Sequence, residues 1–192
     1  MLTTSDLPGR LAWRSLLVVV LLAGCHQSEP QPATEVAVAP RGSPAAPANL
    51  RTMIDDSDTN ASANGFRYFG HWEHVSKRND GRALGTSSRS FHPGDLAIVT
   101  FNGTQVRLYG VLGVKGGYAL ASLDRRPMKE PIDFYAPGVR TGSLVYTSPV
   151  LPQGVHTLAL AVAGEHQKQS TGGFVNIDYA TVTTPADAGP PR

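Results

Sequence analysis

The sequence predicts an all-β domain, an antiparallel sandwich or jelly roll, over residues 50–183. Three observations carry this. Short apolar or alternating runs follow one another with turn signals between them. No long helical period interrupts them, and the stretch holds every aromatic residue except Trp13. About seven or eight short strands in such a stretch is the pattern of a sandwich.

The elements ahead of that domain read as an address and a tether. Residues 1–24 place Arg10 and Arg14 before the apolar run from Leu16 to Leu22. The run is shorter than the ~20 residues of a spanning helix and is arranged as a signal peptide. It ends in Leu22-Ala23-Gly24-Cys25, which resembles the bacterial lipobox, whose cysteine thiol takes a diacylglycerol. The resemblance implies that the single cysteine, Cys25, anchors the chain to a membrane through lipid, which two or more acyl chains make stable. His26 rather than Asp follows it, so the expected location is the outer membrane of a cell envelope, facing the periplasm or the exterior. Segment 25–49 is rich in Pro and Ala and has no aromatic residue, too little apolar surface to offset its ordering entropy. It reads as a disordered tether, or equally as a processing spacer, with a reach of at most roughly 75 Å in polyproline II.

Within the domain, Phe66, Tyr68 and Trp72 lie at period two across Gly70, Leu96 to Phe101 is an apolar run, and Val106 and Leu108 alternate with Arg107 and Tyr109. The Asn102-Gly103 pair between the last two runs predicts a tight hairpin. Further strands are expected at 118–123, 143–147, 156–162 and 174–182, with Pro149, Pro152 and Gly154 separating two of them. The segment from Gly110 to Gly117 reads as a flexible loop, and residues 184–192, with three prolines, as a frayed tail.

Composition removes several functions. The chain has 192 residues with 17 Lys+Arg against 15 Asp+Glu. No basic run reaches the length that phosphate neutralisation asks for, so no nucleic-acid partner is expected. One cysteine excludes an internal disulfide and a cysteine-based zinc cluster. His71 and His74 are three apart, and on a strand such residues face opposite ways, which argues against one shared metal ion. No G-x-S-x-G elbow and no Walker loop is present. Glu130, Asp133 and Asp124 are loop carboxylates whose separation no spacing determines. The expectation is a non-catalytic domain.

The domain resembles the bacterial galactose-binding-like jelly rolls related to carbohydrate-binding modules of families six and thirty-five. The landmarks are Asp55-Asp56-Ser57-Asp58, Tyr68-Phe69-Gly70-His71-Trp72, the run from Phe101 to Gly110, Leu123-Asp124, Asp133-Phe134-Tyr135, the run from Leu151 to Leu158, and Asn176-Ile177-Asp178-Tyr179. Two departures stand out: Arg125-Arg126-Pro127 follows Leu123-Asp124 where such domains place Gly, and no Asn-rich loop lies between Gly110 and Gly117. The resemblance implies carbohydrate binding, to an envelope glycan or an external polysaccharide. With those departures, a protein-interaction or assembly module that has lost the sugar site is the competing reading.

Candidate sites follow from both lines. The acids Asp55, Asp56 and Asp58 offer the hard oxygens calcium takes, or cap turns. An EF-hand is excluded, because counting from Asp56 the required Gly is Ala61 and the bidentate Glu is Arg67. The resemblance implies instead a structural calcium site joining Asp55 or Asp56 to Asp178. For sugar, aromatic rings cover apolar faces while polar groups meet hydroxyls. Trp72, Tyr109, Tyr118 and Tyr135 are the candidate rings, and Arg107 and Lys115 are placed to meet a uronic acid or phosphate.

Overall fold

The computed structural model describes residues 49–59, 63–77 and 79–186. The expectations for the signal peptide, Cys25, the tether through residue 48 and the end of the tail lie outside the described residues.

Twelve strands occur among the described residues: β1 (Leu50–Asp55), β2 (Gly65–Phe69), β3 (Glu73–Ser76), β4 (Thr86–Ser90), β5 (Leu96–Gly103), β6 (Gln105–Leu112), β7 (Tyr118–Leu123), β8 (Arg126–Pro127), β9 (Ile132–Asp133), β10 (Arg140–Thr147), β11 (Gly154–Val162) and β12 (Val175–Thr184). They form two antiparallel sheets. The first runs β10-β6-β12-β4-β3 with β1 also on β12; the second runs β2-β5-β11-β7-β8 with β9 also on β7. The fold is a jelly-roll β-sandwich, as the alternation predicts.

Period-two alternation builds the core from both inner faces. Ala97, Val99 and Phe101 of β5 and Leu158, Leu160 and Val162 of β11 meet Val106 and Leu108 of β6 and Ala180 and Val182 of β12, all buried. Phe66, Phe134 and Ile54 fill the remaining space. Burying one such large side chain contributes about 1.5–3 kcal/mol.

Three departures from expectation have physical reasons. Asn102-Gly103 is not a hairpin: β5 pairs with β2 and β11, while β6 pairs with β10 and β12. The turn carries the chain from one sheet to the other. Glycine is required there because a Cβ on Gly103 would stand 2.4 Å from Val182 Cγ1 and 2.6 Å from the Thr183 carbonyl oxygen. Second, Thr86-Ser87-Ser88-Arg89-Ser90 is a strand without apolar alternation. Two of its three buried serines serve carboxylates instead, Ser88 Oγ donating to Asp56 and Ser90 Oγ to Asp95. Third, Trp72 does not continue β2. It lies beyond Gly70, where φ reaches +100° and the chain leaves the second sheet for β3 in the first.

The turn from β7 to β8 holds Asp124 and Arg125 at φ 49° and 65° between the paired residues Leu123 and Arg126. Positive φ at both central residues is the two-residue hairpin geometry that favours glycine at the second position. Arg125 therefore sits in a left-handed conformation that opposes its side chain. Arg125→Gly is expected to stabilise the fold by about 0.5–1 kcal/mol, read as a higher urea midpoint at unchanged m; a lower midpoint would contradict that turn geometry.

Candidate functional site

One end of the first sheet opens into a cleft of about 370 Å³, inside the ~300–1,000 Å³ range of small-molecule sites. Its floor is the end of β6 and the segment 113–116; its walls are Arg82, Arg89, Val139, Phe174 and Asn176, with Lys115 on the floor segment. That segment was expected to be a flexible loop, and the structure corrects this. Gly113 N–H donates to Phe134 O (3.2 Å), Gly116 N–H to Gly113 O (2.9 Å), Phe174 N–H to Lys115 O (2.9 Å), and Thr171 N–H to Val114 O (2.9 Å). Ser170, itself buried, donates its hydroxyl to Gly116 O (2.7 Å). The glycines admit close backbone approach, and the neighbouring chain then supplies the hydrogen bonds.

Three of the wall residues, Arg82, Arg89 and Phe174, are held from behind. Arg89, on β4, makes a two-pronged bond to Glu73 at 2.9 and 3.0 Å, and its guanidinium lies 5.3 Å from the Phe174 ring centre. Phe91 packs edge-on against the same ring at 5.0 Å. Arg82 stands before the 3-10 turn at Ala83–Gly85; its side chain is 10% exposed and its Nη1 lies 3.0 Å from the Asp80 carboxylate. Its Nε is buried without a hydrogen-bond partner, and so is Oδ1 of Asn176, a residue 8% exposed near the start of β12. The arrangement lines the cleft with one aromatic ring and three cationic side chains.

Beside the cleft the acids gather. Strand β4 pairs with residues 175–177 of β12 and β1 pairs with 179–184, so the two strands share one edge of β12 and Asp178 lies at their junction. Asp55, Asp56 and Asp178 are all buried. Asp178 accepts backbone N–H bonds from Ala83 (2.8 Å) and Gly142 (3.0 Å). Burial nevertheless pushes its carboxyl up to about 6, outweighing those two bonds, with Asp56 and Asp55 adding repulsion. Burial raises Asp56 as well, against the Ser88 hydroxyl that favours its charge. Asp55 Oδ2 accepts from the Ser57 hydroxyl and N–H and from Thr86 Oγ1 (2.9 Å). Asp58 caps the turn by accepting the Asp55 N–H at 2.9 Å.

The structure thus brings Asp55, Asp56 and Asp178 to one junction and leaves Oδ1 of Asp55 and of Asp56 buried without a partner. Carboxylate oxygens are the ligand type calcium takes, but both oxygens of Asp178 already accept N–H bonds. Among the described residues no group of three or more His, Cys, Asp or Glu side chains is arranged as a ready-made metal cage.

The aromatic candidates lie elsewhere. Tyr109 stacks flat on Tyr179 at 4.3 Å on the outer face of the first sheet, next to Arg107 of the same strand. Trp72 packs against the core, 5.1 Å from the Tyr68 ring, and donates its Nε1–H to Phe69 O. Tyr118 is paired with Asp133, whose carboxylate accepts the Tyr135 N–H at 2.9 Å. None of Trp72, Arg107, Tyr109, Tyr118 and Tyr135 lines the cleft; of the residues singled out for ligand contact, Lys115 alone does. Arg82, Arg89 and Phe174 were missed because nothing local marks them. Asn176 had one signal, a polar amide two residues before Asp178 in a strand otherwise buried.

The histidines are also dispersed. His71 lies 5.0 Å from His92, ring to ring, whereas His74 bonds Ser88 Oγ at 2.7 Å. His156 is tied to Asp124 and to Pro152 O, bracing the turn between β7 and β8.

No protein-family model matches the chain. Over 124 residues, 65% of its length, it is 30% identical to the A type blood alpha-D-galactosamine galactosaminidase of Flavonifractor plautii, and it spans 10% of that protein. Its fold is similar to the CBM36-1 domain of a multidomain xylanase from the hindgut metagenome of Trinervitermes trinervoides, with 15% identity, 69% of this chain and 95% of that one covered, and a TM-score of 0.41. It is similar as well to a family 35 carbohydrate binding module from Clostridium thermocellum, with 13% identity, 69% and 96% covered, and a TM-score of 0.40.

Proposed function

We propose that this chain is an outer-membrane lipoprotein, anchored through Cys25, that displays a non-catalytic saccharide-binding domain. The observation that carries the binding activity is the cleft itself, lined by the Phe174 ring together with Arg82, Arg89, Lys115 and Asn176. A ring covers the apolar C–H face of a sugar while an amide meets its hydroxyls. The sequence shared with a galactosaminidase supports the reading, because the matched stretch is a small part of that enzyme. Calcium belongs to the same proposal as a structural ion, held by the orphaned oxygens of Asp55 and Asp56 with Asp178 behind them.

The test is a glycan array probed with the full chain in detergent, followed by titration of the strongest binder. Phe174→Ala is expected to weaken binding about tenfold, whereas Tyr135→Ala, outside the cleft, leaves it unchanged. The opposite pattern would move the site to the tyrosines.

One observation favours a protein partner instead. Across the outer face of the second sheet, Phe69, Leu96, Ala161 and Leu120 stand in register on four adjacent strands, with Phe69 50% and Leu120 59% exposed. Such an uncovered apolar row suits protein contact. Silence on the array together with a crosslink to Leu120 in native envelopes would favour that reading.

A further inference from the structure

We infer that His71, His92 and Asp95 form a binding site for a divalent transition-metal ion of the zinc type, apart from the cleft and from the acids along β12. Two chain segments bring them together. His92 and Asp95 belong to the turn between β4 and β5, closed by Asp95 N–H donating to His92 O at 3.1 Å. That turn is tied to the end of β11 twice, Gly94 N–H donating to Val162 O and Val162 N–H to Asp95 O, each at 2.9 Å. His71 follows β2 at the Gly70 corner, which closes on Asp95 because glycine has no Cβ; one there would stand 1.9 Å from Asp95 Oδ1. The two imidazoles, the exception among the scattered histidines, thus adjoin one carboxylate.

The carboxylate is set as a ligand. Its Oδ2 accepts the Ser90 hydroxyl at 2.6 Å and the His71 N–H at 2.8 Å, and Ser90 Oγ in turn accepts the His92 N–H at 3.1 Å. Bonds of this kind orient metal-ligating carboxylates. Oδ1 takes no hydrogen bond and stands 3.8 Å from His71 Nδ1, beyond hydrogen-bond reach. It is not sealed from solvent, and the His71 side chain is 82% exposed. Around a tetrahedral zinc ion with bonds of about 2.0–2.1 Å, two donor atoms lie about 3.3 Å apart and two imidazole ring centres about 5 Å apart. The corresponding spacings here are 3.8 Å from Nδ1 to Oδ1 and 5.0 Å between the two histidine rings. As they stand the three side chains are not a ready-made cage among the described residues. Closing them takes a shift of about half an ångström at His71 and a rotamer choice at His92, and both rings are exposed enough to move. Imidazole with carboxylate suits zinc, nickel or copper, whereas calcium takes oxygen ligands. Three protein ligands leave a fourth position to water. Phe91 stacks on His92 at 4.2 Å and meets the Phe174 ring at 5.0 Å, so a bound ion stiffens the turn that supports one wall of the cleft.

The experiment titrates the chelator-stripped full chain in detergent with cobalt(II), read by its visible absorption, and then displaces the cobalt with zinc. One ion per chain is expected, with the intense absorption of a four-coordinate site, and excess calcium leaves the spectrum unchanged. His71→Ala and His92→Ala, both exposed substitutions, are each expected to weaken cobalt binding at least about tenfold at an unchanged melting temperature. His166→Ala, in an exposed loop, leaves binding as in the parent. Asp95→Asn keeps an acceptor for Ser90 and His71 and loses the charge; its affinity is expected to fall as far, and if it fails to fold the two histidine variants decide. A folded Asp95→Asn that binds cobalt as tightly as the parent overturns the three-ligand site. Binding that survives in both histidine variants marks an adventitious ion only and overturns the assignment, as does the absence of binding. Displacement of the cobalt by calcium places the ion at the acids along β12 and overturns it as well.

Discussion

Gly116→Ala is expected to destabilise the domain by at least ~3 kcal/mol, a large part of the 5–15 kcal/mol by which a typical domain is stable. A Cβ at this position would stand 1.9 Å from the Phe134 carbonyl oxygen, 2.2 Å from its carbon and 2.5 Å from Tyr135 N. All three are backbone atoms, so no rotamer change relieves the clash. The segments must part, and with them go the bonds from Gly113 N–H to Phe134 O, from Phe134 N–H to Gly117 O and from Ala136 N–H to Gly113 O. The cleft floor moves with them, so ligand affinity should fall even where the protein remains folded. Gly138→Ala is the control, because a Cβ there meets nothing within 4 Å; it should stay within about 0.5 kcal/mol of the parent. Urea unfolding of both variants decides the matter, and matching midpoints would mean that the close approach is absent.

The second large effect is a loss of stability as pH rises. In chelator, Asp178 holds its proton up to about 6 when folded but releases it near 3.9 when unfolded. Between those values the folded state binds more protons, so stability falls with increasing pH, by on the order of 2–3 kcal/mol once the window is crossed. Asp56, also raised, acts in the same direction. Asp95 and Asp124 act oppositely. Burial raises each, but the Ser90 hydroxyl and His71 N–H outweigh it at Asp95, and the Thr157 N–H and His156 do so at Asp124. Their contribution is present above the unfolded pKa and is lost as pH falls below about 4. Thermal melts in chelator should therefore peak near pH 4–5 and decline toward 7.5.

Calcium should reverse the decline. Binding needs the carboxylates charged, so the rise in melting temperature on adding calcium should be larger at pH 7.5 than at pH 5. Asp178→Asn should flatten the pH profile, since its side chain no longer titrates, while keeping one acceptor for Ala83 or Gly142. A profile as steep in Asp178→Asn as in the parent would assign the slope to other groups. An unchanged melting temperature with calcium at either pH would remove the metal from the proposal.

The legible parts of the fold were those written in local alternation. Leu158, Leu160 and Val162 repeat at every second residue and are buried together, as are Ala97, Val99 and Phe101. Strand β4 carries no such pattern, because Ser88 is buried with a hydrogen bond to Asp56, 32 residues away, and Ser90 with one to Asp95 in the approach to the next strand. Asn102-Gly103 failed as a hairpin signal for a related reason. The dipeptide reports that the chain turns tightly, and whether it returns beside itself or crosses the core depends on where β12 passes, 2.4 Å from the missing Cβ.

The candidate site divides in the same way. The resemblance named Asp55, Asp56 and Asp178, and the structure buries all three where β1 and β4 meet one edge of β12, without arranging them as a metal-binding group among the described residues. The cleft as a whole was not legible: Lys115 and Asn176 were named singly, but Arg82, Arg89 and Phe174 carry no local mark, and the five come from four separate stretches of chain. Strand identity and core membership follow from side-chain periodicity, a property of a few consecutive residues that water reads directly. Partner choice between strands, the junction at Asp178 and the charge of the cleft arise only when β1 and β4 close on one edge of β12, for electrostatics and desolvation act through space between residues the sequence keeps far apart.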